Sequence, residues 1–474
     1  MLSFSAPAPL VALMLVACAE HRIAPTVTAQ EQVPADAPTR PEPAPRLDER
    51  KATPPADLSP LEAEIRARAA EVEPQLIAWR RDLHEHPELG DQEKRTSALV
   101  ADHLRALGLE VRTGVARTGV VGVLEGGKPG PTVALRADMD ALPIKERTGL
   151  PFASQARGVY HGEEVDVMHA CGHDAHTAML MAAATVLAGV REQLPGRVMF
   201  IFQPAEEGSS LLLAGSGESW GAKLMLEEGL FEPDPPAAVF GLHVFPGRSG
   251  ELRWRSGPTT ASGDRLAITV FGAQGHGGMP WDTVDPIVTS GLILTGLQTV
   301  VSRRVDLTRS PAVVTVGSIH GGSAPNIVPG QVEMTGTIRT YDEEIRADIA
   351  HAVVLSAENI AESTGARAEV SVIPGYPMTV NDAALAEQMT PVLERAADGL
   401  VAPIPLPGAA EDFSYFAQQA PGLYVFLGVT PPDENPATAA PNHNPSFVID
   451  EDALVVGARA MASMAAAFLT QSPP

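Results

Sequence analysis

Apolar and polar residues follow two rhythms along this chain. The stretch "LEAEIRARAAEVEPQLIAWRRDLHEHPE", from Leu61, repeats apolar positions at helical spacing. It predicts a helix that buries Ile65, Leu76, Ile77, Trp79 and Leu83 and stops at Pro87. "EKRTSALVADHLRALGLEV" predicts a second amphipathic helix, ended by Gly108. Short apolar, β-rich runs follow: "GVVGVLEG", "PTVALRADMD", "GRVMFIFQPAEEG" and "AAVFGLHVF". Helical stretches such as "HTAMLMAAATVLAGVREQL" separate several of them. Strands alternating with helices predict an α/β fold, a mixed sheet with helices on its faces.

The rhythm changes near residue 258. "DRLAITVFGAQGHGGMP", "AVVTVGSIHGG" and "GQVEMTGTIRT" alternate apolar and polar residues, with helical segments at about 284–303 and 343–364 among them. This predicts an α+β unit with a half-exposed sheet. The first style returns from about residue 375. Residues 258–372 therefore read as an insertion into a larger domain made of 61–257 and 373–470.

Residues 19–60 carry nine prolines and no apolar periodicity, which predicts an extended, disordered tether. Before it, the apolar run Leu10–Ala17 is too short for a permanent membrane span and ends in Leu15-Val16-Ala17-Cys18. Residues 1–18 resemble a bacterial lipoprotein signal, with cleavage before Cys18 and lipid on that cysteine. The departure is that no Lys or Arg precedes the apolar run. The expectation is an exported periplasmic or cell-surface protein that meets the membrane only through its lipid anchor. Net charge is -24 over 474 residues, a field that repels nucleic acid and anionic lipid surfaces. The chain has two cysteines, Cys18 and Cys171; a lipidated Cys18 leaves Cys171 without a disulfide partner.

Cys171 stands in "HACGHDAH", residues 169–176, among three histidines. Cys171 and His173 lie just before a predicted helix, whose dipole favours an anion and predicts a thiolate. Asp138 and Asp140 end one predicted strand, Glu206 and Glu207 follow another, and His243 closes a third. In open α/β sheets ligands bind beyond such strand ends. Cys, His and Glu together suit zinc and neighbouring transition metals. The turn expected after Pro204 would let one glutamate bind metal while its neighbour handles protons. Taken singly, each motif has a plainer reading: a solvated Glu-Glu pair, or a satisfied buried histidine. A cysteine hydrolase using Cys171 and a non-enzymatic metal-binding surface lipoprotein are the competing functions.

The motifs "RRDLHEHPELG", "LRADMDALPI", "HACGHDAHTAML", "FQPAEEG", "EEGLF", "GLHVFPG", "GHGGMP", "SAPNIVPG", "EDFSYF" and "HNPSFVIDEDAL" occur in this order. Over about residues 61–468 the chain resembles the metal-dependent amidohydrolases that include hippurate hydrolases, N-acyl-amino-acid amidohydrolases and auxin-conjugate hydrolases. The resemblance implies a catalytic α/β domain bearing an inserted lid or dimerisation domain, and two divalent metal ions per subunit. Zinc, manganese, nickel and cobalt all suit the donor set. It implies Cys171, His173, Glu207, His243 and His443 as metal ligands and Glu206 as general base. Cys171 then stands where related peptidases use a bridging aspartate. His276 would be the lid histidine that stabilises the oxyanion, with Asn326 and Arg339 holding a substrate carboxylate. The substrate class implied is an N-acyl-amino acid or a dipeptide-like amide, and the lid would pair two copies as a homodimer. Two features depart from the pattern. Trp281 replaces a histidine often found after "MP", and "EEGSSLLLAGSGESW" replaces a glycine-rich stretch.

Overall fold

The first helix runs Pro60–Glu85 and opens with a capping box between Ser59 and Glu62. It buries Ile65, Leu76 and Leu83 as expected, but Ile77 and Trp79 are only half-covered, while Arg80 and His84 are buried. The reason is a polar one. Arg80 Nε donates to Asp174 Oδ2 at 2.9 Å, and His84 Nδ1 meets the same oxygen at 2.8 Å. His84 Nε2 lies 3.1 Å from Glu146 Oε1. The helix face that the apolar pattern marked as buried thus carries charges that clamp a second helix, His173–Gly189. The computed structural model describes residues 58–212 and 217–471. The expected signal with Cys18, and the tether up to residue 57, lie outside the described residues.

The main sheet has eight strands. Its four central ones, in spatial order Pro195–Gln203, Lys128–Asp138, Ala238–Arg248 and Gly422–Thr430, are mutually parallel. Their carboxyl ends therefore share one edge. From Lys128–Asp138 the chain goes first to the neighbour on one side and then crosses to the other side. That reversal opens a crevice at the strand ends, the usual place for a ligand in such sheets. Both sheet faces are covered. Val133, Leu135 and Ala137 join the core beneath the helices Pro60–Glu85, His173–Gly189, Ala383–Ala396 and Leu454–Gln471. Ala134 faces the opposite core, with Phe413, Phe416 and Tyr424. The helix at Glu451–Gln471 is long and apolar enough to cross a membrane, but 72% of that window is buried against this core.

The expectation that His243 closes its strand is corrected: the strand continues to Arg248. Its pairing with Lys128–Asp138 ends at Gly241, opposite Arg136, whereas pairing with Gly422–Thr430 continues past His243. His243 thus stands within a strand but beyond the end of one neighbour.

The inserted unit holds a four-stranded antiparallel sheet, in the order Ala312–Gly321, Gln331–Thr340, Gly263–Phe271, Arg367–Tyr376. Leu266, Ile268 and Val270 point into a separate core with Ile293, Leu297, Ile349 and Val353. Those last four come from the helices Pro286–Arg304 and Glu343–Ser363, each N-capped by an aspartate side chain, Asp285 and Asp342. Arg265 alternates to the other sheet face. The last strand runs to Tyr376, past residue 372.

The clamp on Asp174 gives a stability prediction. Arg80→Met leaves a fully buried carboxylate without its guanidinium, which costs about 3–5 kcal/mol. Urea unfolding of metal-free protein would read it; a loss below about 1 kcal/mol would place the clamp's strength in its other members.

Candidate metal centre

Beyond Gln203 the chain leaves the sheet, bends at Pro204 and makes the expected turn at Glu206 and Glu207. Ala205 is left-handed, φ 49°, a conformation that residues with side chains rarely hold without outside support. The support is visible. Ala205 N donates to Glu93 Oε1 at 2.9 Å, and Glu207 N donates to Asp140 Oδ2 at 2.9 Å. Tyr376 Oη, from the last strand of the inserted unit, donates to the Glu206 carbonyl at 2.6 Å. Trp220 Nε1 donates in turn to Tyr376 Oη at 2.9 Å. These bonds fix the backbone on both sides of Glu206.

The Cys-Gly-His spacing also has a backbone reason. Gly172 has φ 96°, and a Cβ there would lie 2.3 Å from Val244 Cγ2. A glycine alone lets this chain pass under the neighbouring strand. It caps the helix that begins at His173, so His173 is in the first turn rather than before it. Nδ1 of His173 lies 2.9 Å from the Asp140 carbonyl, so that nitrogen carries a proton and donates it. Nε2 is buried, has no hydrogen-bond partner among the described residues, and faces Asp138 at 3.7 Å and Glu206 at 3.9 Å.

Cys171 Sγ is the hub. His243 Nε2 lies 3.4 Å away and His443 Nε2 3.3 Å away. His243 commits Nδ1 to the Val244 carbonyl at 2.7 Å, which leaves Nε2 turned toward the sulfur. His443 Nε2 is also 2.8 Å from Glu207 Oε1. Two donor sets result, Cys171 with His173 and His243, and Cys171 with Glu207 and His443, the atoms within each lying no more than 4.8 Å apart. They share the sulfur. An orphaned imidazole nitrogen, a thiol and a carboxylate aimed at one space fit divalent cations of the transition series.

Electrostatics point the same way. Burial opposes charge on His173, but Asp138 and Asp140 outweigh it and push the imidazole up to about 10. That field favours positive charge at Nε2, whether proton or cation. Burial holds His243 well below its usual range, so its ring is neutral. Glu206 is pushed well up by burial, then by Glu411 and Glu207. The expected thiolate is corrected. Burial, followed by Glu207, Glu206 and Asp138, drives the Cys171 thiol well above its ordinary value. A helix N-terminus cannot offset that many carboxylates; a cation on the sulfur can.

Behind these groups Arg136, itself buried, donates to Asp138 at 2.7 Å, Glu411 at 2.9 Å, Asp412 at 3.0 Å and Gln203 at 2.8 Å. His176 also holds Asp138. Sequence reasoning placed Asp138 at a strand end but gave Arg136, Gln203, Glu411 and Asp412 no role, although an arginine inside the apolar run "VALRADMD" signals buried pairing.

A cavity of about 480 Å³ opens beside the cluster, lined by Cys171, Glu206, Glu207, His243 and His443 below and by Arg265, Arg339 and Tyr376 of the inserted unit above. Arg339 thus lines the cavity. Its guanidinium leans over Gly263, where a Cβ would lie 2.0 Å from Nη1. Burial pulls its charge below the usual range, a cost that an anion beside it relieves. His276 and Asn326 are not brought to this cavity. They sit together and exposed, on a two-stranded ladder in which His276 pairs with Ile327. Trp281 is exposed nearby, in the short turn Pro280–Asp282.

The model of the peptidase family M20/M25/M40 matches residues 134–467. Thermostable carboxypeptidase 1 of Saccharolobus solfataricus is 41% identical, over 84% of this chain and 96% of its own. N-acetylcysteine deacetylase of Bacillus subtilis is 38% identical, over 82% of this chain and 96% of its own. A solved dinuclear metal-binding M20 peptidase from Bacillus subtilis superposes with a TM-score of 0.69 at 34% identity, covering 85% of this chain and 100% of that one. The chain belongs to the peptidase family M20/M25/M40, and is a hydrolase of amide or peptide bonds that uses two divalent metal ions.

Proposed function

We propose that this enzyme hydrolyses the amide bond of N-acyl-amino acids or dipeptide-like amides and releases a carboxylic acid and an amino acid. The observation that carries this reading is Glu206: a carboxylate with its backbone held on both sides, beside the shared-sulfur cluster and under a half-buried arginine. Cys171, His173 and His243 would hold one cation, and Cys171, Glu207 and His443 the other; zinc, manganese, nickel and cobalt all suit these donors. When bound, such a pair lowers the pKa of a water and polarises the amide carbonyl. Glu206 accepts the proton of the attacking water and returns it to the leaving nitrogen. Arg339 holds the substrate carboxylate and so sets the amide over the cluster.

His276 belongs to a second copy's cavity in this reading. Its Nδ1 accepts from Gly278 N at 2.9 Å, which leaves Nε2 as the outward donor. Asn326 lies beside it. Exposed apolar side chains on the same unit, Ile287, Val288 and Leu292 on one helix with Val313 and Ile319 on an edge strand, supply a surface for homodimer pairing. A cysteine-hydrolase reading draws on the two imidazoles near Sγ. It conflicts with the carboxylates that push the thiol up, since a nucleophilic cysteine needs the opposite field. The "LVAC" signal and the proline-rich segment behind it support an exported, lipid-anchored enzyme.

Three expectations follow from these assignments. In protein stripped by chelator and reloaded with metal, Glu206→Gln keeps its metal and loses about 100- to 10,000-fold in turnover. Glu207→Gln instead loses metal occupancy. Full activity in the stripped enzyme would return Cys171 to the role of nucleophile, and a fully metallated Glu207→Gln would exchange the glutamates' roles.

His276→Ala lowers turnover about 100-fold with metal content unchanged. Heterodimers of His276→Ala with Glu206→Gln regain activity; verified heterodimers that stay inactive would confine His276 to its own subunit's chemistry or to none.

Cys18→Ser moves the protein from the membrane fraction to the soluble exported fraction. Wild-type protein found in the cytoplasm with residues 1–18 intact would end the export reading.

A further inference from the structure

A second, smaller cavity of about 190 Å³ adjoins the metal-side cavity, and Phe245, Ala409 and Phe426 line both. Its other walls are Pro246, Ile404, Pro405 and Pro407. The one charged lining group, Arg253, is paired with Glu251. The annex is therefore apolar. It is also preformed. The prolines fix their own backbone, Tyr341 donates to the Pro407 carbonyl, and Ala261 N donates to the Ala409 carbonyl at 2.8 Å. A cavity of about 150 Å³ accommodates a benzene ring, so the annex has room for a phenyl or branched aliphatic group.

Its position says which half of a substrate would enter. The aromatic wall starts at the cluster: Phe245 is two residues beyond His243 on the same strand, and Phe426 pairs with His243 across the sheet. The far side of the opening is Ala409. The next residue, Ala410, packs under the perch of Arg339, since a Cβ at Gly263 would lie 2.8 Å from Ala410 Cβ and 2.0 Å from Arg339 Nη1. The annex opens beside the carboxylate anchor. A carboxylate held by Arg339 would place the group on its neighbouring carbon on the Ala409 side of the cavity, where the annex opens.

We infer that the annex is a specificity subsite for a bulky apolar side chain on the amino-acid half of the substrate, phenylalanine- or leucine-like. This rests on the proposed amide hydrolysis with Arg339 as anchor. The enzyme then discriminates by the released amino acid.

The test uses metal-loaded enzyme and a matched series: N-acetylglycine, N-acetylleucine, N-acetylphenylalanine and N-benzoylglycine. Wild-type kcat/KM rises about 10- to 200-fold from N-acetylglycine to N-acetylphenylalanine, the range a well-fitting apolar pocket gives. A Cβ at Gly408 meets open space, so Gly408→Leu adds bulk at the annex without a backbone clash. That variant loses most of the gain on N-acetylphenylalanine and leaves N-acetylglycine within about twofold. Equal wild-type rates on glycine and phenylalanine substrates overturn the subsite even if the variant fails to fold. A Gly408→Leu defect confined to N-benzoylglycine, or equal on all four substrates, overturns it as well. No turnover of any of the four by metal-loaded wild type instead overturns the proposed function, and this inference with it.

Discussion

Negative charge crowded at the carboxyl ends of four parallel strands is the constraint on which the rest depends. Asp138, Asp140, Glu206, Glu207, Glu411 and Asp412 converge there, and burial makes each charge costly unless it is compensated. Arg136 answers Asp138, Glu411 and Asp412 from inside the sheet. The carboxylates of Asp140, Glu206 and Glu207 remain around Cys171 and His173. Burial with Glu207, Glu206 and Asp138 raises the thiol of Cys171, and Asp138 with Asp140 and Glu207 raises the imidazole of His173 against burial, the pattern of a pocket short of positive charge. Two divalent cations supply what the protein leaves out, and the fold pre-positions donors for them by turning the buried Arg136 to the far side of the cluster.

Much of this was legible in the chain. Alternating strands and helices gave the α/β class, because both faces of the sheet are covered and its strands read as continuous apolar runs. The change to period-two alternation near residue 258 marked the insertion, because one face of that sheet is open. The polar residues gathered as expected, since the strand ends share an edge whatever the loop details. The rest required three dimensions. Arg80 and His84 lie on a helical face that periodicity marks as core, and nothing local says that Asp174 awaits them. Cys171 looks like a thiolate beside its helix, but the carboxylates that reverse this arrive from residues 138, 206 and 207. His276 and Asn326 are 50 positions apart, and only the pairing of Gly275–His276 with Ile327–Val328 makes them neighbours.

Strain is placed where the chemistry needs fixed geometry. Ala205 and His443 are both left-handed, at φ 49° and 67°, and each adjoins or is a residue of the cluster. His443 N donates to the Ala170 carbonyl at 2.8 Å, and Asn442 Nδ2 donates to the Cys171 carbonyl at 2.9 Å. The loop that carries His443 is thus stitched to the loop that carries Cys171. Such anchoring is what allows an unfavourable backbone conformation to persist.

The inserted unit is bound into the same site. Arg346 grips Asp264, whose Oδ1 accepts from Gly375 N at 3.1 Å. The next residue, Tyr376, holds the Glu206 carbonyl. An unbroken path of short polar contacts therefore runs from a helix of the insertion, through its sheet, to the backbone of the carboxylate beside the metal cluster. Arg265 and Arg339 project from that same sheet into the cavity. A shift of the insertion relative to the main sheet must move the roof of the cavity or break the Tyr376 contact, and it cannot leave both as they are. The roof of the cavity and the backbone of Glu206 are consequently held by one sheet.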